Sequence, residues 1–586
     1  MRKEIYKKIF IEALIVFFYL SLSLILTYPL ILNFFTAIPG IPGDAFIFLW
    51  NQWWVREAIL TGQSPFFTQL IAYPFQANLA FSSLTFTNSL ISVPAQFILP
   101  PVVVFNLIFI FSLVAAAYGM YFLIKYLFNN HYAGLVGGAV FAFNAYIFQE
   151  MFGHFNYTSV YPIPFFILFF LKIFKEDKKY FNSILAALFL ALAFYNDHYY
   201  TIGLLIFSFF CLVWLGFKER KLLVSKTRQI CLVFFCWLII IMPLLTVLLK
   251  GVLSKLYPLA NLAQINLYAP DLRSFLVPAS FQTIYGQYFI NYYHSLGFHG
   301  SVVYLSFSLI ILAILGYLVG RKKEIFSANF WLVTGVIFLF FCLGPFLYLD
   351  GYIFDLDGIK YTIPLPYLLF YFVPFVKGIL VPPRLIIFVI FCLVMMAGFI
   401  LVKIFNQLKS QIIKLALTIL IIGLYLAENL AIPIPISTAK IPNFYYNLSK
   451  DKEDGVILEL PFALSTSFYT LGSIPSSSII QYYQTVHQKK ILGGWISRAP
   501  DEYYSFYSRL AGLDYLINPQ EKIDNKKIDE ISNRVRTNFQ KLKIKYIIVH
   551  PEYYYHQELA NSLNFLNQVL EQKPKLVEQM YVYQMN

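Results

Sequence analysis

The chain has 586 residues, 59% of them hydrophobic and only 13% charged, against roughly 45 to 50% apolar and about 25% charged residues in an ordinary soluble domain. That balance excludes a soluble globular protein, and ordinary contents of Gly (28) and Pro (29) exclude fibrous and disordered classes. The formal net charge of +14 would point to nucleic acid in a soluble chain, but in a polytopic membrane protein its meaning depends on where the charges lie, and no nucleic-acid partner is expected.

The first apolar stretch, centred near Phe18, follows MRKEIYKK. It is too long for a signal peptide and no A-x-A pattern follows, so it is expected to stay as a spanning helix. Stretches able to cross the hydrocarbon recur through the first 430 positions, about eleven in all at about 20 residues each. The others centre near Leu113, Phe141, Phe169, Leu188, Phe207, Ile239, Ile310, Phe338, Val394 and Ile421. With the N-terminus in the cytoplasm, the cytoplasmic loops carry 20 Lys and Arg against 5 acids, and the opposite loops 7 against 8. This positive-inside asymmetry predicts a multi-pass protein of the cytoplasmic membrane with a cytoplasmic N-terminus and, after an odd number of spans, an extracytoplasmic tail. The division expected is a transmembrane region over 1–431 and a soluble domain over 432–586.

The first outer loop, about 36–100, is too long for a simple connector. It opens with IPGDAFIFLWNQWWVREAIL. A helix starting at Asp44 would be capped by that residue and would place Phe46, Trp50, Trp53 and Trp54 on one broad face, as in a helix lying in the membrane interface. The next stretch, SSLTFTNSLISVPAQFILPP, reads as a second interfacial or re-entrant helix, being apolar but interrupted by polar residues and prolines.

Polar residues gather at the outer ends of later spans: Glu150 and His154 in QEMFGHFNYTS, Asp197 and His198 in AFYNDHYYT, and Arg384 in KGILVPPRLIIF. Ionisable residues at membrane boundaries are costly unless they face a cavity or a partner, which makes them candidates for function. Each also has a plainer reading: a helix cap for Asp44, a salt bridge or snorkelling for Arg384, and satisfied polar residues for His154 and Asp197. The five cysteines, Cys211, Cys231, Cys236, Cys342 and Cys392, all lie in apolar runs, so neither a disulfide framework nor a metal site is read from them. Walker-type loops, GxGxxG after a strand, HExxH and nucleophile elbows are missing too, which argues against nucleotide-driven pumps and common metallohydrolases.

The tail reads as a small α/β domain. Strand-like runs at GVILEL (455–460), KIKYIIVH (543–550) and KLVEQMYVY (575–583) alternate with helical patterns around 499–517, 525–541 and 553–571.

GDAFIFLWNQWW, YPFQANLAFSSLT, GHFNYTSVYPIPFFILFFL, NDHYY, LGPFLYLDG, LPYLLFYFVPFVKGILVPPR and YYQTVHQKKILGGWISR together give the chain an organisation that resembles the GT-C superfamily of polytopic glycosyltransferases, especially branches related to the mannosyl- and aminoarabinose-transferase types. The resemblance implies a GT-C-like α-helical membrane fold and inverting transfer of a sugar from a polyprenyl-phosphate donor to a glycan, lipid or protein acceptor on the outer membrane face. No cofactor beyond that donor and no metal ligand is implied; the surrounding partners are membrane lipids. In the family an acid of the first outer loop is the catalytic base, which maps to Asp44; better-known branches often carry adjacent acids there, and this chain has one. A leaving lipid phosphate needs a cation, for which Arg384, with Arg273 or Lys377, is suited. Glu150, His154, Asp197 and His198 are the remaining candidates for substrate binding. Two other classes stay open: a transporter or flippase for lipid-linked glycans, which needs no base, and a membrane scaffold whose tail binds partners.

Overall fold

Long apolar runs become helices because a backbone in lipid must satisfy its own hydrogen bonds. The computed structural model describes residues 2–177, 180–296, 301–320, 325–350, 352–353, 355–356, 359–360, 362–373, 380–521 and 523–585. Among these, seven helices are long and apolar enough to cross a membrane: Glu4–Leu26, Pro101–Phe128, Phe155–Lys175, His198–Lys218, Thr227–Leu253, Pro382–Gln407 and Gln411–Asn429. Four shorter apolar helices, His131–Ala142, Phe181–Asn196, Phe307–Val319 and Ala328–Cys342, stand where the other four expected spans lie. At 1.5 Å per residue, 12 to 16 residues reach only about 18 to 24 Å. The protein is therefore a polytopic α-helical membrane protein with a small β-sheet region towards its C-terminus.

The chain divides into two compact units. The first comprises Met1–Phe34, Asn106–Pro243 and Leu259–Ile436. Its most enclosed spanning helices are Phe155–Lys175 and Pro382–Gln407, 83% and 78% buried over their apolar windows, whereas Glu4–Leu26 and Gln411–Asn429 are 22% buried and peripheral. Apolar side chains gain little from meeting each other rather than lipid, so close packing has to come from small residues. Two glycines meet that need. A Cβ on Gly316 would lie 1.9 Å from the Met396 carbonyl oxygen, and one on Gly138 would lie 2.4 Å from the Ala117 carbonyl oxygen and 2.2 Å from the Tyr19 hydroxyl.

The second unit comprises Phe35–Phe105, Leu244–Pro258 and Ser437–Asn586. Its centre is a five-stranded sheet of β1 (Val456–Leu460), β2 (Lys490–Ile491), β3 (Ile544–Val549), β4 (Lys575–Val577) and β5 (Met580–Gln584), in the order β2-β1-β3-β5-β4. β1 is parallel to β2 and β3, while β5 runs antiparallel to β3 and β4. Every residue of β1 is buried, which accounts for its VILEL composition, apolar at every position but Glu459, as expected of a strand covered on both faces. The predicted runs at 455–460 and 543–550 are β1 and β3, and the third, 575–583, is the β4–β5 hairpin. Asn525–Lys541 is a helix over the range predicted and buries Ile528, Ser532, Val535 and Phe539, spaced to share one helical face. The helix Ile474–His487 went unread in the sequence because its tyrosines, serines and glutamines mark no apolar stripe.

The first outer loop differs from expectation. Asp44–Leu60 is a helix, but Trp50, Trp53 and Trp54 are almost fully buried within the protein and do not form a membrane-interface belt. Trp50 donates its indole N–H to Gln484 Oε1 (2.9 Å), and the Gln484 amide donates to the Leu70 and Lys489 carbonyls. The backbone of residues 70–73 bonds to that of 491–493, and the Tyr503 and Tyr507 hydroxyls donate to the Gln76 and Tyr73 carbonyls. Loop and tail thus share one core. The expected capping role of Asp44 is also corrected: Gly43, at φ 142°, is the N-cap, no side chain caps there, and Asp44 is the first helical residue. The stretch after it forms a short helix, Phe86–Ser92, and a 3-10 turn, Ala95–Phe97.

Candidate functional site

In the first unit, the Ala145–Glu150 helix opens on Asn144, whose side chain accepts from the Ile147 N–H. The helix ends at buried Glu150, and Gly153, at φ 151°, makes the turn that brings His154 back. Glu150 Oε2 and His154 Nδ1 lie 2.9 Å apart, a contact that is an ion pair when His154 is protonated. The chain continues through Phe155–Thr158, where Asn156 donates its amide to Asp197 Oδ2 (2.8 Å).

Asp197 joins two apolar helices. Its other oxygen caps the His198–Lys218 helix by accepting from the Tyr199 N–H (2.8 Å). The Tyr199 hydroxyl in turn accepts from the Leu380 and Val381 N–H groups, at 2.8 and 2.9 Å, and holds the strand of chain that leads to Pro382. Pro382–Leu385 is a 3-10 turn, consistent with the proline pair keeping the chain out of regular helix ahead of Arg384. Tyr200 donates to the Tyr157 carbonyl (2.6 Å) and meets the Tyr146 hydroxyl at 3.1 Å. This fixes the Tyr157 ring beneath Arg384.

The half-buried Arg384 guanidinium sits 3.7 Å from the centroid of Tyr157 and 5.0 Å from that of Tyr199. Glu150 and Asp197 act on it electrostatically. Among the described residues it makes no hydrogen bond or salt bridge. A guanidinium held over aromatic rings keeps N–H groups for a ligand, and these match the oxygens of a phosphate or carboxylate.

Of the residues singled out in the sequence, the fold brings together Glu150, His154, Asp197 and Arg384. His198 adjoins them but is half-buried against Phe194, at 4.9 Å between ring centroids, and its Nε2 has no hydrogen-bond partner among the described residues. Arg273 stands elsewhere in the unit, paired with Asp350 and with a side chain 57% exposed. Asp44 belongs to the second unit, and Lys377 lies outside the described residues. Sequence reading missed Asn156, Tyr157 and Tyr199. The density of tyrosines around Asn156 and Asp197 was the available signal.

No family model and no curated protein matches the sequence. Among solved structures, the mycobacterial arabinofuranosyltransferase AftD overlays 92% of this chain with a TM-score of 0.53 at 12% identity, and the overlay spans 36% of the AftD chain. The archaeal oligosaccharyltransferase AglB from Archaeoglobus fulgidus overlays 99% of this chain and 74% of its own (TM-score 0.45, 12% identity), and ArnT from Cupriavidus metallidurans 97% of each (TM-score 0.46, 10% identity). At 12% identity the likeness to AftD is one of fold alone, over 92% of this chain and 36% of that one.

Proposed function

We propose that the protein is a membrane glycosyltransferase that moves a sugar from a polyprenyl-phosphate donor to an acceptor hydroxyl on the outer face of the cytoplasmic membrane. The observation that carries this reading is Arg384, held on Tyr157 and Tyr199 with its N–H edge unused among the described residues. In the reaction the acceptor oxygen forms a bond to the anomeric carbon as the bond from that carbon to the phosphate oxygen breaks. Negative charge grows on the departing lipid phosphate, where Arg384 stabilises it. The acceptor's proton goes to a carboxylate, and Asp44, half-buried in the first turn of its helix, takes that role in this proposal. Glu150, His154 and Asp197 hold the Arg384 surroundings in place and offer hydrogen bonds to sugar hydroxyls.

The test is transfer itself. Purified protein in lipid, supplied with a polyprenyl-phosphate sugar labelled in the sugar, should move label from the lipid fraction to an acceptor fraction with release of polyprenyl phosphate. Label that crosses the bilayer still attached to its lipid would instead identify a transporter.

A further inference from the structure

In the second unit, Glu459 near the end of β1 and His550 just after β3 lie side by side at the carboxyl ends of adjacent parallel strands. From β1 the chain runs by way of the Ile474–His487 helix to β2 on one side, and β3 lies on the other side of β1. This is the switch point of the sheet, where open α/β folds commonly have a crevice. Here a charged cluster fills it. His550 Nε2 lies 2.8 Å from Glu459 Oε2 and His550 Nδ1 lies 3.3 Å from Glu552 Oε1. The Tyr445 hydroxyl, from the Asn443–Leu448 helix, donates to both Glu459 oxygens at 3.0 and 3.1 Å. Tyr445, Glu459 and His550 are all at least nine-tenths buried, and only Glu552 reaches solvent.

Both nitrogens of His550 face carboxylate oxygens. Nε2 also lies 3.2 Å from the Tyr445 hydroxyl, but with both carboxylates ionised a neutral imidazole would still set a lone pair against one of them, which favours the doubly protonated ring. We propose that this cluster is a proton-held latch: the His550 imidazolium neutralises buried Glu459, Glu459 anchors Tyr445, and loss of the proton frees the Asn443–Leu448 helix from the sheet.

The other groups around the cluster leave the switch to His550. Burial acts to lower its pKa, but the Glu459 and Glu552 carboxylates together raise it to about 9. His487, which stacks on Tyr445 from the neighbouring helix, is pushed down to about 3 by burial and by Lys489, so it stays neutral. Burial raises Tyr445, Tyr483 and Tyr553, which keeps their hydroxyls protonated through this range. With a folded pKa raised above the usual histidine value, the latch is complete below about pH 6.5 and is lost as pH rises through about 9. The inference does not depend on the sugar-transfer reading.

Hydrogen–deuterium exchange on the full chain in detergent, with each rate normalised to the unstructured rate at the same pH, tests it. Protection of the peptide over 443–451 should fall about tenfold or more between pH 7 and 10, the fall being complete as pH passes about 9. His550→Gln should lack the step and stay weakly protected at every pH. Should that variant fail to fold, Glu552→Gln, altered only at the exposed end, should move the midpoint down. Wild-type protection that is flat to pH 10, a wild-type step retained in His550→Gln, or an unmoved midpoint in Glu552→Gln would each overturn the latch.

Discussion

Removing the Arg384 guanidinium tests the proposed donor site most directly. Arg384→Ala deletes the charge and the stacking on Tyr157, where the guanidinium lies 3.7 Å from the ring centroid. The stacking itself contributes about 0.5 to 2 kcal/mol, but in the free protein it serves mainly to orient the group. What donor binding loses is the charge-assisted contact to phosphate, about 1.5 to 3 kcal/mol per hydrogen bond. At 1.4 kcal/mol per tenfold, one such bond amounts to roughly a 10- to 150-fold weaker donor Kd. Arg384→Lys keeps the charge but lacks the planar fork, so it should fall between wild type and Ala. Tyr157→Phe keeps the ring and should bind donor nearly as wild type, whereas Tyr157→Leu removes the platform and should weaken binding a few-fold. Donor affinity is read by titrating a polyprenyl-phosphate sugar against purified protein, with thermal melting run alongside to separate binding from folding. An Arg384→Ala protein that melts like wild type and binds donor with unchanged affinity would refute the reasoning, because the phosphate contact assigned to Arg384 would then contribute nothing to binding.

Asp44→Asn should fold normally, since Gly43 and not Asp44 is the N-cap and the lost dipole interaction is worth only about 0.3 to 1 kcal/mol. Its turnover should drop roughly 100-fold or more for want of a proton acceptor, and unchanged transfer by a folded variant would move the base elsewhere. Trp50→Phe leaves the buried Gln484 Oε1 without its donor; the cost of about 1 to 3 kcal/mol should lower the melting temperature of the second unit, and an unchanged melt would mean that this bond does not hold loop to tail. An alkaline phosphatase fused after Asn586 should be active if the tail is extracytoplasmic, as the loop charges imply. Activity of a cytoplasmic reporter at that position would require an even number of spans before the tail.

Much of the membrane region could be read directly, because transfer into lipid is a local property of each stretch. Seven expected spans coincide with long apolar helices, and the runs that became β1 and β3 were equally plain. Hydropathy says nothing, however, about which polymer of side chains will cover a given face. Trp50, Trp53 and Trp54 have the composition of a membrane belt, yet they are buried in protein because later parts of the same loop, Pro65 and Phe86–Ser92, and chain more than 400 residues further on, Ile474–His487, pack on their helix. The same holds for the candidate site. Glu150, Asp197 and Arg384 could be picked out singly as costly charges at the ends of apolar stretches, but that Asn156 holds Asp197 and Tyr157 supports Arg384 follows from distances across separate helices. Periodicity and transfer free energy act over a few residues, while pairing depends on how whole helices and strands pack, and only the tertiary structure carries that information.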